Sequence, residues 1–178
     1  EHPVKDIVCV GKLMAQKNHA MMINAYAKIA SEFPDTNVWI YGEGDKRAEL
    51  ESLAGSLGLD SRIHMPGNSD KIFDVMQKNE YFVMCSDYEG LSNALLDAMR
   101  SGMICISTEW NGITDVIKDG QNGYLVPVGD ADALSDKLRM VLSSDNSDIR
   151  RNSIETGKKY SCDIVLERWA NEINGLAL

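Results

Sequence analysis

Two carboxylates, Glu89 and Asp97, stand eight positions apart in the stretch Cys85-Ser86-Asp87-Tyr88-Glu89-Gly90-Leu91-Ser92-Asn93-Ala94-Leu95-Leu96-Asp97-Ala98-Met99. The first falls in a glycine-containing loop and the second inside the helix that follows it. The unpaired amides at a helix start favour an anion such as phosphate. Carboxylates beside them can accept hydrogen bonds from sugar hydroxyls, leaving the amides for phosphate. That combination points to a nucleotide sugar. Paired acids also hydrolyse glycosides, but they must then flank one bond of a substrate held in an open groove. The intervening turn, with Gly90, Ser92 and Asn93, suits phosphate better.

A second segment, Gly11-Lys12-Leu13-Met14-Ala15-Gln16-Lys17-Asn18, carries two lysines five apart just after an apolar run. Taken alone, they read as two solvated surface lysines. Beside a carboxylate loop, both ammonium groups can serve a diphosphate. The segment lacks the G-x-x-x-x-G-K-[ST] pattern of a P-loop. Gly42-x-Gly44 invites a dinucleotide reading, yet Arg47 stands where that fingerprint needs its third glycine. It also follows the second strand, so a tight strand-to-helix turn is preferred. His19, at a helix start, reads as exposed or capping, and His64, within a strand, as structural. No His, Cys, Asp or Glu cluster has metal-ligand spacing, so no metal is expected.

These loops need elements to position them. Apolar runs predict strands at 7–10, 37–41, 62–65, 81–85, 103–107 and 123–126. Helices are predicted between them: from 18 or 19 to about 31, over 50–57, over 71–77, through Asp97 to near Gly102, and a short one over 112–117. Leu50, Leu53, Ala54 and Leu57 lie at i, i+3, i+4 and i+7, with Gly58 as the stop. Beyond the last strand, Asp130 caps a helix with Leu134, Leu138 and Val141 on one face. Residues 145–159 read as a polar helix, and Ser161 caps a final one with Val165, Trp169 and Ile173 inward. The alternation predicts an α/β fold: a doubly wound, mostly parallel, six-stranded Rossmann-like sheet with C-terminal helices. Residues 1–178 read as a single domain, with 145–178 its helical extension. Ligands in such sheets bind at the carboxyl ends of strands, near the reversal of strand order. Gly11-Lys12, Gly42-Glu43-Gly44, Gly67-Asn68 and Glu89-Gly90 all fall at such ends.

The bulk properties narrow the partners. With 178 residues, 44% hydrophobic and 25% charged, the chain is long enough for a proper core. A net charge of −9 disfavours nucleic acid or an anionic membrane as the main partner but permits a small anion. No apolar run reaches transmembrane length and no signal-peptide pattern is present, so no direct membrane insertion by this segment and a cytoplasmic setting are expected. Cys9, Cys85, Cys105 and Cys162 form no C-x-x-C pair and read as buried, reduced thiols. The chain opens on Glu1 and reads as a segment of something longer.

Val10-Gly11-Lys12-Leu13 with Lys17, Tyr41-Gly42-Glu43-Gly44, Glu89-Gly90-x6-Asp97-Ala98-Met99-x2-Gly102 and Gly120-x-x-Gly123-Tyr124-Leu125-Val126 occur in that order. The set resembles the C-terminal, donor-binding half of GT-B glycosyltransferases of retaining family 4, the "glycosyl transferases group 1". It covers nearly the whole chain, and its most specific piece is the E-x7-E-like element. The resemblance implies that Glu89 hydrogen-bonds the donor sugar and Asp97 the ribose. It implies that the amides of Gly90, Leu91 and Ser92 face the sugar and diphosphate, and that Gly11 lies among the donor contacts. Lys12 and Lys17 would neutralise the diphosphate as the glycosyl bond breaks. The backbone at Pro66-Gly67-Asn68 would hold the base. The substrate implied is a nucleoside-diphosphate sugar, UDP-linked, with no metal and no further cofactor. The acceptor would be a glycan or lipid-linked. The implied partner is an N-terminal acceptor-binding domain that this chain lacks, so the chain alone is expected to bind donor weakly and transfer little sugar. A full-length enzyme could sit peripherally at the cytoplasmic membrane face.

Three departures stand out. Lys12 replaces the family's usual Arg, a point charge in place of a bidentate fork. Asp97 is one methylene shorter than the usual Glu. The turn reads Gly-Leu-Ser-Asn where Gly-Phe-Gly is commoner. They leave open a degenerate nucleotide-sugar-binding or regulatory domain without transfer. A sugar-nucleotide epimerase of the UDP-GlcNAc 2-epimerase type also remains, disfavoured by the Gly-Lys-x4-Lys arrangement.

Overall fold

The computed structural model describes residues 4–176. Six strands, β1 (Val4–Val10), β2 (Val38–Tyr41), β3 (Ile63–Gly67), β4 (Asn79–Met84), β5 (Ile104–Thr108) and β6 (Tyr124–Val126), form one sheet. Their spatial order is β3-β2-β1-β4-β5-β6, and every pairing is parallel. Order reverses between β1 and β4, where Ile7 pairs with Tyr81 and Val8 with Phe82. Among the described residues, seven helices accompany the sheet: α1 (His19–Ala27), α2 (Arg47–Ser56), α3 (Ile72–Lys78), α4 (Asn93–Arg100), α5 (Ala131–Leu142), α6 (Ser147–Lys159) and α7 (Cys162–Leu176).

Strands covered on both faces need continuous apolar runs, which β1, β4 and β5 supply. Because successive side chains alternate across a strand, Ile7 and Cys9 join one core with Met22, Tyr26, Ile40 and Leu138. Val8 points the other way, into a second core with Phe82, Leu95, Met99, Cys105 and Trp110. Burial pushes the Cys9 and Cys105 thiols up to about 12 and Cys85 well above its ordinary value. These three are buried and free, as expected. The side chain of Cys162 lies outside the described residues.

Several boundaries differ from expectation. Helix α1 stops at Ala27, and the chain runs on in tighter turns, with Ile29 N–H bonded to Tyr26 O at 3.0 Å. Strand β3 continues through Pro66 to Gly67, because an edge strand tolerates a residue without an N–H. The helix expected over 112–117 is only a 3-10 turn, Ile113–Asp115. Trp169, expected inward, is 66% exposed, so the apolar spacing of α7 does not bury it. The side chain of Ile173 lies outside the described residues. Helix α6 packs tightly on the end of α4: a Cβ on Gly157 would come within 2.5 Å of the Arg100 nitrogen. Ser153 Oγ and Arg150 Nε donate to Met103 O and Gly102 O at 3.1 and 2.8 Å.

Candidate functional site

Loops after β1, β2, β3 and β4 meet at one edge of the sheet, and backbone contact builds them. The amide of Gly11 donates to Tyr41 O at 3.0 Å, that of Leu13 to Glu43 O at 2.9 Å, and that of Gly42 to Gly67 O at 3.0 Å. This closeness demands glycine. A Cβ on Gly42 would stand 2.0 Å from Gly11 O, and one on Gly44 2.2 Å from Leu13 O. The Gly42-x-Gly44 turn therefore serves loop-to-loop packing.

The loops after β1 and β4 are joined by side chains as well. A 3-10 turn, Ala15–Lys17, ends at Asn18, whose φ of 45° is left-handed. Asn18 then caps α1, its Oδ1 accepting from Met21 N–H at 3.3 Å, while its Nδ2 donates to Asp87 Oδ1 at 3.0 Å. Gln16 O accepts from Asp87 N–H at 2.9 Å, and Gln16 Nε2 donates to Tyr88 O at 2.7 Å. Lys17 Nζ pairs with Glu89 Oε1, and that oxygen also accepts from Ser86 Oγ at 2.7 Å. The lysine stem crosses Gly11, where a Cβ would lie 3.3 Å from Lys17 Cδ.

A cleft of about 230 Å³ opens beside these loops, walled by Val10, Tyr41 and Ile72 and edged by Gly11, Lys12, Asn68 and Ser69. Lys12 is exposed at its rim. Gly67, with φ 89°, lies under the Glu43 carboxylate, and a Cβ there would meet Glu43 Oε1 at 2.6 Å. Gly90 faces open space, and Leu91 is exposed next to it. Ser92 is buried and caps α4, its Oγ accepting from Leu95 N–H at 3.4 Å. Asp97 lies apart from Glu89 in its bonding: it accepts from Arg100 Nη2 at 3.0 Å and is 42% exposed.

The structure thus brings Lys17 into direct contact with Glu89 and puts Gly11, Lys12 and Asn68 around one cleft. His19 corrects its sequence reading. It is 6% exposed, beneath the loop, because the loop folds back over the first turn of α1. Burial lowers its imidazole to about 4, against the pull of the nearby Lys12 and Gly11 backbone. Its Nε2 has no hydrogen-bond partner among the described residues.

Sequence reasoning missed three residues here. Ser86 carries no signal beyond its place at a strand end. Arg47 clamps the loops after β2 and β3, donating to Glu43 at 2.8 and 3.0 Å and to Met65 O at 2.9 Å. The spacing of Glu43, Arg47 and Glu51 at i, i+4 was the available clue. Thr108, at the end of β5, donates to Ser86 O at 2.5 Å.

Among the described residues, no helix is long and apolar enough to cross a membrane. The family described as "Glycosyl transferases group 1" matches residues 2–160. Curated relatives include the lipopolysaccharide core biosynthesis glycosyltransferase LpsE of Rhizobium meliloti, 29% identical over 85% of this chain and 43% of that protein. Another is a Campylobacter jejuni 4-alpha-N-acetylgalactosaminyltransferase named for a diphospho-undecaprenol substrate, 31% identical over 79% of this chain and 38% of that protein. The chain spans less than half the length of either relative. Among solved structures, the C-terminal domain of a glycosyl transferase group 1 family protein (LpcC) from Francisella tularensis superposes with a TM-score of 0.81. It is 26% identical over 89% of this chain and 86% of that one. Anabaena HepE in complex with UDP and glucose has a TM-score of 0.87 at 18% identity, over 96% of this chain and 48% of that one, a likeness of fold alone. The six-stranded parallel sheet is that of a GT-B C-terminal domain.

Proposed function

The chain belongs to the glycosyl transferases group 1 family, and from that membership we propose that it is the donor-binding half of a retaining glycosyltransferase using a UDP-linked sugar. The observation that carries this reading is the meeting of Lys17 and Glu89 where strand order reverses. A cation for phosphate and an acceptor for sugar hydroxyls lie side by side at the place where open α/β sheets bind ligands.

In this reading the apolar walls of the cleft, Tyr41 and Ile72, receive the base, with Asn68 at its edge and the backbone of Gly67 just before it in the chain. Lys12, Lys17 and the amides of Gly90, Leu91 and Ser92 face the diphosphate. Fixed positive groups of this kind stabilise the charge that develops on the leaving group as the glycosyl bond breaks. Glu89 holds sugar hydroxyls, and Asp97 exchanges part of its bond with Arg100 for the ribose.

The acceptor and the cleft that receives it belong to the part of the protein beyond this chain. The names of the relatives support a glycan or lipid-linked acceptor for the complete enzyme. The chain alone therefore binds nucleotide and transfers little or no sugar. Calorimetric titration of the chain with UDP, GDP and ADP tests the reading. Binding of UDP is expected, and absence of binding by all three at millimolar concentration overturns it.

A further inference from the structure

We propose that Ser86 and Thr108 are positioning residues that set the orientation of the Glu89 carboxylate toward the donor sugar. The inference rests on the donor-binding reading above. Both donors to Glu89, Lys17 Nζ and Ser86 Oγ, converge on Oε1. Among the described residues no hydrogen bond reaches Oε2, which leaves that oxygen as an acceptor for a ligand hydroxyl.

The two donors do not have equal directing power. An ammonium on a flexible stem is a point charge with three donors and can hold either carboxylate oxygen. The Ser86 hydroxyl sits on a one-carbon side chain at the end of β4, with only 1% of the residue exposed, and cannot follow the carboxylate if it turns. Ser86 therefore decides which oxygen faces inward. Thr108 in turn fixes Ser86. The ladder between β4 and β5 ends at Met84 and Ser107, and beyond it the buried Thr108 hydroxyl takes over, donating to Ser86 O at 2.5 Å with Met84 O at 3.4 Å. The strand end is thus held where it turns into the acid loop.

The test is titration calorimetry of the chain with UDP and with UDP-glucose, UDP-galactose and UDP-N-acetylglucosamine. The readout is the affinity for each nucleotide sugar divided by that for UDP. With the carboxylate misdirected, Ser86→Ala lowers the ratio for the preferred sugar about three- to tenfold, as does Glu89→Gln. Thr108→Val lowers it less, and Thr108→Ser, which keeps the hydroxyl, restores it. Should Ser86→Ala fail to fold, the Thr108 pair carries the same comparison. A wild-type ratio in Ser86→Ala and Thr108→Val alongside a reduced one in Glu89→Gln overturns the positioning role and spares the donor reading. Equal loss for UDP and sugar leaves the ratio unchanged and likewise overturns it. An unchanged ratio in Glu89→Gln, or a chain that binds UDP but none of the three sugars, overturns the placement of the sugar at Glu89 itself.

Discussion

Lys17 and Glu89, 72 positions apart in the chain, form an ion pair whose side chains are 19% and 11% exposed. It bridges the loops that follow β1 and β4, neighbours in the sheet on either side of the order reversal. The pair has two consequences. It braces the two loops against each other, and it holds together the two groups that a nucleotide sugar would engage separately.

Breaking one side of a pair this enclosed leaves the other charge poorly solvated. Lys17→Met is expected to cost about 2 kcal/mol, and a comparable figure is expected for Glu89→Gln. For a domain of this size that lowers the thermal midpoint by roughly 4–8 °C. The double variant should be less destabilised than the sum of the two, because neither charge is then stranded. Thermal unfolding of the four proteins followed by circular dichroism checks this.

Glycine is required at Gly42 and not at Gly90. A Cβ at position 42 would stand 2.0 Å from the carbonyl oxygen of Gly11, and backbone on both sides prevents relief. Gly42→Ala is expected to cost about 3 kcal/mol and to abolish UDP binding by parting the loops after β1 and β2. Among the described residues, nothing lies within 4 Å of a Cβ at position 90, so Gly90→Ala should unfold like the wild type. Denaturant titrations of the two variants compare them directly.

His19 makes stability depend on pH. Its folded value of about 4 lies below the ordinary 6.5, so below 6.5 the unfolded chain takes up a proton that the folded one refuses. Stability contributed by the neutral, buried imidazole is present above 6.5 and is lost as pH falls toward 4. The loss over that window is about 3 kcal/mol at most. His19→Gln should flatten the dependence of the denaturation midpoint on pH between 4 and 7. A wild-type slope in that variant would assign the dependence to other groups.

Asp97 is expected to read the ribose. Asp97→Ala should weaken UDP about tenfold while leaving 2′-deoxy-UDP nearly unaffected, as for loss of one hydrogen bond to a charged group. Arg100→Ala removes the competing partner, which now stands 3.0 Å away, and should strengthen UDP modestly. Parallel titrations with the two nucleotides separate these effects. Equal losses for both would place Asp97 away from the 2′-hydroxyl.

Much of this was legible in the chain itself. Apolar runs of four or five residues broken by glycine turns place all six strands within a few residues of their observed limits. The same periodicity misjudged α7, where Trp169 has the spacing of a core residue but no partner surface among the described residues to bury it. It also read His19 as exposed or capping, since periodicity reports a residue's own helix and says nothing about a loop that later folds over it. Gly42 and Gly44 were visible as a turn, while the carbonyls that exclude a side chain there came from a segment some thirty residues earlier.

By itself the sequence determined the parallel α/β class, the loops at the strand ends, and the residue types able to handle sugar and phosphate. Local periodicity and turn chemistry act over a few residues, so they can be read from a linear string. Only the tertiary structure decided that Lys17 meets Glu89, that Ser86 and Thr108 stand behind the acid, and that Arg47 clamps the neighbouring loops. Those partners are chosen by which strands lie side by side, and strand order is set by how the whole sheet buries its two faces.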